Sequence, residues 1–166
     1  PPGQDFQFHV DASTAWGWGA WCLVDGVVYY CFGEWTAAEK LLQINPLEMG
    51  ALFLAHAAFA KIVGNRRLPI DFHHAQTCHA VSIRFRARSD NTPTVSGTNT
   101  WKSNSDMMVR ILKLLYVDMA HHHSVIDASH VPGEINVGAD HLSRGREAEF
   151  LTLARSLGAS TIVLIP

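Results

Sequence analysis

The sequence predicts an α/β fold in which a five-stranded mixed β-sheet, with its first three strands antiparallel, is flanked by helices. Near the N-terminus, apolar and polar residues alternate with the two-residue period of half-buried strands. A long apolar helix follows, and the chain then alternates between strands and helices. The predicted order of elements is therefore βββαβαβα.

Composition favours a single domain over residues 1–166, with a core at about 6–156 and a C-terminal extension at 157–166. The chain has 166 residues, of which 48% are hydrophobic and 17% charged, as expected for a packed globular domain. It contains neither a run of about 18 apolar residues nor a signal-peptide pattern. We expect no membrane contact, an intracellular location in the cytoplasm or nucleus, and a monomer as an isolated domain.

The first three strands are predicted at Phe6 to Ser13, Ala20 to Asp25 and Val27 to Phe32. Asp25-Gly26 favours a two-residue hairpin turn between the last two. This turn pairs Val24 with Val27, Cys22 with Tyr29 and Ala20 with Cys31. Cys22 and Cys31 are then diagonal neighbours about 7–8 Å apart, too far for an unstrained disulfide, so we expect reduced thiols.

A long helix is predicted to begin near Asn45, which is suited to capping it, with Pro46 at its first position and Glu48 at its third. Thr92 to Thr100 is rich in turn-forming residues, and Thr161 to Pro166 is either a clasping strand or the start of a neighbouring domain. The remaining predicted elements are a strand at Val81 to Ser89, a helix from the SNSD capping box (Ser103 to Asp106) to about His121, a strand at Val125 to Ser129, and a helix at Gly138 to Ser156.

The segment from Gly64 to Ala80 has no clear period and is interpreted as a loop or a short helix. His74 and Cys78 have the spacing of zinc ligands if the segment is helical. No second ligand pair is evident, so the pattern does not favour a structural zinc site.

Four acidic residues occupy the ends of predicted elements. Asp11 ends the first strand, Glu48 opens the long helix, Asp90 ends the fourth strand and Asp140 opens the last helix. Each has an ordinary explanation, as a turn residue, a helix cap or a charge favoured by the helix dipole. Taken together they predict a site at which four carboxylates converge.

The segments around these acids resemble the ribonuclease H family. The similar segments are VDAST (Val10 to Thr14), NPLE (Asn45 to Glu48), SDN (Ser89 to Asn91) and SHVPGEINVGADHLSR (Ser129 to Arg144). The last segment, together with DASTAWGWG, is most similar to ribonuclease H domains fused to the reverse transcriptases of hepadnaviruses and DIRS-type retrotransposons. The similarity runs from Phe6 to about Phe150.

This resemblance implies a metal-dependent endonuclease that hydrolyses the RNA strand of RNA/DNA hybrids with two Mg²⁺ ions, for which Mn²⁺ can substitute. It implies that Asp11 bridges both ions, that Glu48 and Asp90 hold one, and that Asp140 holds the other. It also implies that His130 assists proton transfer and product release. Nucleic-acid contacts are expected from Ser13, Asn45, Asn91 and Asn136, and a covalently linked reverse transcriptase polymerase domain is the expected partner.

Two other functions fit the same motifs. One is a catalytically silent domain of this fold that serves as a structural or hybrid-binding part of a polymerase; the retention of all four acids weighs against it. The other is a DNA-cutting nuclease related to integrases, but those enzymes place their glutamate last, whereas Glu48 is second here. Free-standing nucleic-acid-binding domains are usually strongly basic, whereas this chain has a formal charge of −2. We therefore expect a tethered partner to provide part of the nucleic-acid binding.

Overall fold

The computed structural model describes residues 5–65 and 83–166. Of residues 64 and 65 it describes only the backbone, as the end of a helix. The zinc-like pair His74 and Cys78, and the first two residues of the strand predicted from Val81, lie outside the described part of the chain. The other predicted elements can be compared with the structure directly.

A six-stranded mixed sheet organises the fold. Its strand order is β5-β4-β1-β2-β3-β6, so β1 is central. The pairs β1–β2 and β2–β3 are antiparallel, as predicted, whereas β1–β4, β4–β5 and β3–β6 are parallel. The strands are β1 (Asp5–Ala12), β2 (Gly17–Val24), β3 (Val27–Glu34), β4 (Ile83–Ser89), β5 (Ser124–His130) and β6 (Thr161–Leu164).

The predicted hairpin register is confirmed. Val24 pairs with Val27, Cys22 with Tyr29 and Ala20 with Cys31. The turn works because Asp25 and Gly26 both adopt positive φ angles, 52° and 77°, as a tight hairpin turn with this twist requires. Burial of the Cys31 thiol raises its pKa, so this residue behaves as an apolar core residue.

The sixth strand is the main addition to the predicted sheet. Of the two interpretations of the C-terminal apolar segment, the clasping strand is the one observed. Thr161 lies opposite Val27 and Leu164 opposite Tyr30 in a parallel pairing with β3. The Ile165 N–H donates to the Tyr30 carbonyl at 2.8 Å and continues this attachment.

Five α-helices in the described part of the chain cover the two faces of the sheet. The core beneath α1 and α3 contains Phe8, Val10, Phe85 and Leu115, while α4 and α5 pack against the opposite face around Val28 and Tyr30. A short 3-10 turn at Glu39–Leu41 precedes the first helix. The helices are α1 (Ile44–Asn65), α2 (Thr92–Thr100), α3 (Asp106–His122), α4 (Val137–Ser143) and α5 (Glu147–Ser156).

Helix α1 is a core helix. By length and composition alone its stretch Ile44–Val63, with mean hydropathy 1.3, would suffice to cross a membrane, but 61% of its most apolar window is buried within the protein. Leu47, Met49 and Leu52 are almost fully buried. The helix begins at Ile44, so the prediction that Asn45 caps it is wrong: Asn45 and Pro46 lie in its first turn.

Two helical segments differ from prediction. Thr92–Thr100 is helix α2 rather than a series of turns, because Asn91 caps it by accepting a hydrogen bond from the Thr94 N–H at 2.9 Å and Pro93 suits its first turn. The helix predicted from Gly138 to Ser156 is divided into α4 and α5. Gly145 adopts a φ of 71° at the break, which ends α4 and directs the chain into α5.

Candidate active site

Three of the four predicted acids meet at one end of the sheet. Asp11 lies near the end of β1, Asp90 directly follows the parallel neighbouring strand β4, and Glu48 lies in the first turns of α1. Each offers a carboxylate oxygen, and these three oxygens lie within 4.8 Å of one another. Parallel strands bring their C-terminal ends to the same edge, and α1 packs over the face beside it, so the topology assembles this cluster.

Glu48 is the most deeply buried member of the cluster. Glu48 is only 3% exposed, and its Oε2 atom has no hydrogen-bond partner among the described residues. Burial, followed by the charges of Asp11 and Asp90, raises its pKa to about 9, although a hydrogen bond from the Ala12 backbone acts in the opposite direction. Without a cation, Glu48 therefore holds a proton at neutral pH.

Asp11 occupies the centre of the cluster and is also buried. Burial raises its pKa to about 7, and the carboxylates of Asp90 and Asp140 add to the effect. The Ser143 hydroxyl opposes the shift by donating a hydrogen bond to Asp11 Oδ2 at 2.5 Å. This hydrogen bond, from the last residue of α4, fixes the orientation of the Asp11 carboxylate.

Asp90 and Asp140 form the outer part of the site. Asp90 is half-buried, and its pKa is raised by burial and by Asp140 but lowered by the positive charge that His130 can carry. Asp140 lies outside the group of three, on the rim, with a 37% exposed side chain. Its Oδ1 accepts a hydrogen bond from Arg144 Nε at 2.8 Å, one helical turn later. Three acids are thus tightly grouped, and the fourth lies near enough to influence two of them.

His130 and two of the predicted asparagines lie beside the acids. His130 is exposed at the end of β5, opposite Ser89 in the sheet. Asn91 Nδ2 donates to Asn45 Oδ1 at 3.0 Å, which ties the start of α2 to the first turn of α1 next to Glu48 and Asp90. Both asparagines are partly exposed.

The other two residues predicted to contact nucleic acid, Ser13 and Asn136, are buried. The Ser13 hydroxyl donates to the Ser143 carbonyl at 2.6 Å and accepts from the Gly17 N–H at 3.2 Å. Asn136 Nδ2 donates to the Val10 carbonyl at 3.0 Å. These hydrogen bonds hold the loop after β1 and the start of α4 in place, and contact of either residue with nucleic acid stays a prediction.

Sequence reasoning missed three neighbours of the acids. Ser143 orients Asp11, Arg144 pairs with Asp140, and Gly133 lies so close to Asp90 that a Cβ atom there would be 2.9 Å from Asp90 Oδ2. The only local signal was spacing, since Ser143 and Arg144 follow Asp140 by three and four residues on one helix. The approach of Ser143 to Asp11 depends on tertiary packing.

The donor set suits a hard divalent cation. It consists only of carboxylate oxygens, which Mg²⁺ and Mn²⁺ prefer over nitrogen or sulfur ligands. Grouping three such side chains in a buried place is unfavourable without positive charge, as the raised pKa values of Glu48 and Asp11 show. The Glu48 Oε2 atom, which has no hydrogen-bond partner among the described residues, is available as a ligand. The residues present therefore fit a metal centre.

Comparisons with known proteins identify the fold. No protein-family model and no curated protein matches the sequence. Among solved structures, the chain is similar to RNase H1 of the halophilic archaeon Halobacterium salinarum NRC-1, with a TM-score of 0.56 and 17% identity over 87% of this chain and 98% of that one. It is also similar to LC11-RNase H1 in complex with an RNA/DNA hybrid, with a TM-score of 0.60 and 15% identity over 88% and 99%.

A third similar structure is the N-terminal RNase H domain of a Mycobacterium tuberculosis protein, solved as a fusion with maltose-binding protein. Its TM-score is 0.57 and its identity 13%, over 92% of this chain and 99% of that one. At these identities the likeness concerns the arrangement of the backbone. The protein has the ribonuclease H-like fold.

Proposed function

We propose that the protein is a metal-dependent endonuclease that hydrolyses the RNA strand of RNA/DNA hybrids. The observation that carries this proposal is the meeting of Asp11, Glu48 and Asp90 within 4.8 Å at the end of the central strands of a ribonuclease H-like fold, with Asp140 on the rim. A solved neighbour of the same fold binds an RNA/DNA hybrid, which supports the choice of substrate.

In this proposal Asp11, Glu48, Asp90 and Asp140 hold two Mg²⁺ ions, and Mn²⁺ can replace them. When bound, such a pair of divalent ions would supply activation of a water nucleophile and stabilisation of the leaving oxygen in an in-line phosphodiester displacement. The acids supply the negative charge that attracts such ions. Ser143 fixes the Asp11 carboxylate, and Arg144 restrains Asp140.

The residues around the acids position the substrate and the protons. His130 is exposed at the end of β5, near enough to Asp90 to affect its pKa, and in this proposal it assists proton transfer and product release. The amides of Asn45 and Asn91 lie at the entrance to the cluster, where they can bond to the 2′-hydroxyls that distinguish RNA from DNA. Asn45 retains its Nδ2 group for this purpose, because its hydrogen bond to Asn91 uses the Oδ1 atom.

We further propose that this activity belongs to a retroelement reverse transcriptase inside the cell, with the polymerase domain covalently attached. The motif from Ser129 to Arg144 supports this context, since it is most similar to those enzymes. A formal charge of −2 is also consistent with a domain that binds nucleic acid together with an attached domain.

Cleavage of three labelled duplexes tests the proposal: an RNA/DNA hybrid, duplex DNA and duplex RNA, each with Mg²⁺ or Mn²⁺. We expect cleavage of the RNA strand of the hybrid alone, and its loss in the Asp11→Asn variant. Hybrid binding without cleavage by the wild-type protein would instead indicate a silent domain, and DNA cleavage would indicate an integrase-like nuclease. Either outcome contradicts the proposal.

A further inference from the structure

One face of the sheet carries an open groove beside the acids. Helices α4 and α5 pack over β1, β2 and β3, and no helix in the described part of the chain packs over this face of β4 and β5. The side chains of Arg84 and Arg86 on β4 are 51% and 55% exposed there. The groove has a volume of about 290 Å³, and its polar lining residues are Gln7, Arg84, Arg86, Arg88, Asp127 and Ser129.

The groove leads towards the acidic cluster. Arg84, Arg86 and Arg88 alternate with the buried residues of β4, and Asp90 is next in the same alternation. In the paired strand, His9 lies opposite Arg88, and Asp11 is two residues further on. Alternate residues of a strand are about 6.6 Å apart, so the three arginines form a row that runs back about 20 Å from Asp90.

The positive charge of this row is available to an anionic ligand. Arg84 pairs with Asp127 at 3.1 Å and Arg86 with Asp5 at 2.8 Å, but all four side chains are exposed. Exposed ion pairs of this kind are weak, so either arginine can exchange its carboxylate partner for a phosphate. Arg88 forms no ion pair with any described residue, and its buried Nε atom has no hydrogen-bond partner in that part of the chain.

We propose that this arginine groove binds the phosphates of a single nucleic-acid strand that continues beyond the acidic cluster. The proposal rests on the hybrid-cleaving function proposed above and extends it to a single-stranded RNA extension of the hybrid. A guanidinium binds phosphate with two parallel hydrogen bonds, and a single file of guanidiniums in a narrow groove matches one phosphate backbone. Gln7 and Ser129 add neutral hydrogen-bonding groups on either side of the row.

Equilibrium binding tests the groove separately from cleavage. The Asp11→Asn background with Mg²⁺ prevents cleavage, and fluorescence anisotropy compares a blunt hybrid with hybrids carrying a single-stranded RNA extension at either end of the RNA strand. We expect one extension to tighten binding and the double substitution Arg84→Gln, Arg86→Gln to remove this gain. The slope of log K against log salt should fall by about 1.4, because each lost single-strand phosphate contact accounts for about 0.7.

Two further variants control for charge. Lys61→Gln with Arg155→Gln removes the same charge from exposed positions on α1 and α5, and should preserve the gain. Asp127→Asn removes a carboxylate from the groove and releases Arg84, so it should strengthen the binding of the extended hybrid.

Equal affinities of blunt and extended hybrids for the parent protein would overturn the proposal, as would an unchanged gain in the Arg84, Arg86 variant. So would an equal loss of blunt-hybrid binding in that variant, because it would place duplex rather than single-stranded phosphates in the groove. A parent protein that binds no hybrid at all would contradict the proposed function itself, and the groove proposal with it. Melting temperatures of all variants establish that each is folded.

Discussion

Replacing Glu48 with glutamine should stabilise the metal-free protein and weaken its binding of divalent metal ions. Glu48 is almost fully buried, and its pKa is about 9 instead of the ordinary 4.5. The folded protein therefore binds a proton at Glu48 that the unfolded chain releases. Because the folded-state pKa is the higher one, the stability associated with Glu48 is greatest below about pH 4.5 and is lost as the pH rises towards 9.

The size of the effect follows from the same values. Neutral pH lies about 2.5 pH units above the ordinary pKa of glutamate, so taking up the proton on folding costs about 3 kcal/mol at pH 7. Glutamine is neutral and nearly isosteric, and it avoids this cost, although its amide group will be incompletely paired at a loss of about 1 kcal/mol. We expect Glu48→Gln to gain about 2 kcal/mol at pH 7, or about 6 °C in Tm.

Thermal unfolding in EDTA at pH 5 and pH 7 measures this gain, with the exposed Glu134→Gln as a control expected to change stability by less than about 0.5 kcal/mol. The gain should be clear at pH 7 and largely absent at pH 5. Adding Mg²⁺ should raise the Tm of the wild-type protein more than that of Glu48→Gln, because a ligand stabilises only the folded state that binds it. A variant less stable than wild type in EDTA at pH 7, or equally stabilised at both pH values, would refute this reasoning.

Three other substitutions test individual contacts. Ser143→Ala removes the hydroxyl that donates a hydrogen bond to Asp11 Oδ2, so the rate of hybrid cleavage should fall about tenfold. The pH profile of cleavage should move to higher pH, because the pKa of Asp11 rises without this donor. An unchanged profile would show that the contact has no catalytic effect. Gly133→Ala places a Cβ atom 2.9 Å from Asp90 Oδ2 and should displace this carboxylate, so the rate of cleavage should fall with little change in Tm. Full activity would show that the site tolerates the displacement of Asp90. His56→Leu should lower the free energy of unfolding, measured by chemical denaturation, by about 3 kcal/mol. The reason is that the buried His56 ring forms hydrogen bonds with Asp118 at 2.6 Å and with Ser124 Oγ at 2.8 Å. A loss below about 1 kcal/mol would contradict a structural role for these hydrogen bonds.

The antiparallel strands were predictable because their signals are local. Alternation in β1 and the Asp25-Gly26 turn determine the hairpin and its register without reference to the rest of the chain. Helix α2 was missed because Thr92–Thr100 is rich in threonine, serine and glycine, which favour turns. Its stability comes from the Asn91 cap and from tertiary packing that buries Thr94, Gly97 and Thr98.

The site was predictable to a different extent at each residue. The positions of Asp11 and Asp90 at strand ends, and of Glu48 near the start of α1, follow from strand periodicity and from the helix-start signal around Pro46. The burial of Ser13 and Asn136 did not follow, because each side chain bonds to a backbone group more than a hundred residues away in sequence. The contact between Ser143 and Asp11 is equally long-range, and local patterns carry no information about it.

Calorimetric titration with Mn²⁺ at pH 7 tests the central claim most directly, since the proposed chemistry requires that these carboxylates bind divalent ions together. The wild-type protein should bind Mn²⁺ saturably and release protons on binding, detected by repeating the titration in a buffer of different ionisation enthalpy, because Glu48 with a pKa of about 9 must lose its proton to act as a ligand. Asp11→Asn should bind far more weakly, because it removes the central carboxylate. Absence of saturable binding in the wild-type protein, or equal binding in Asp11→Asn, would contradict the account.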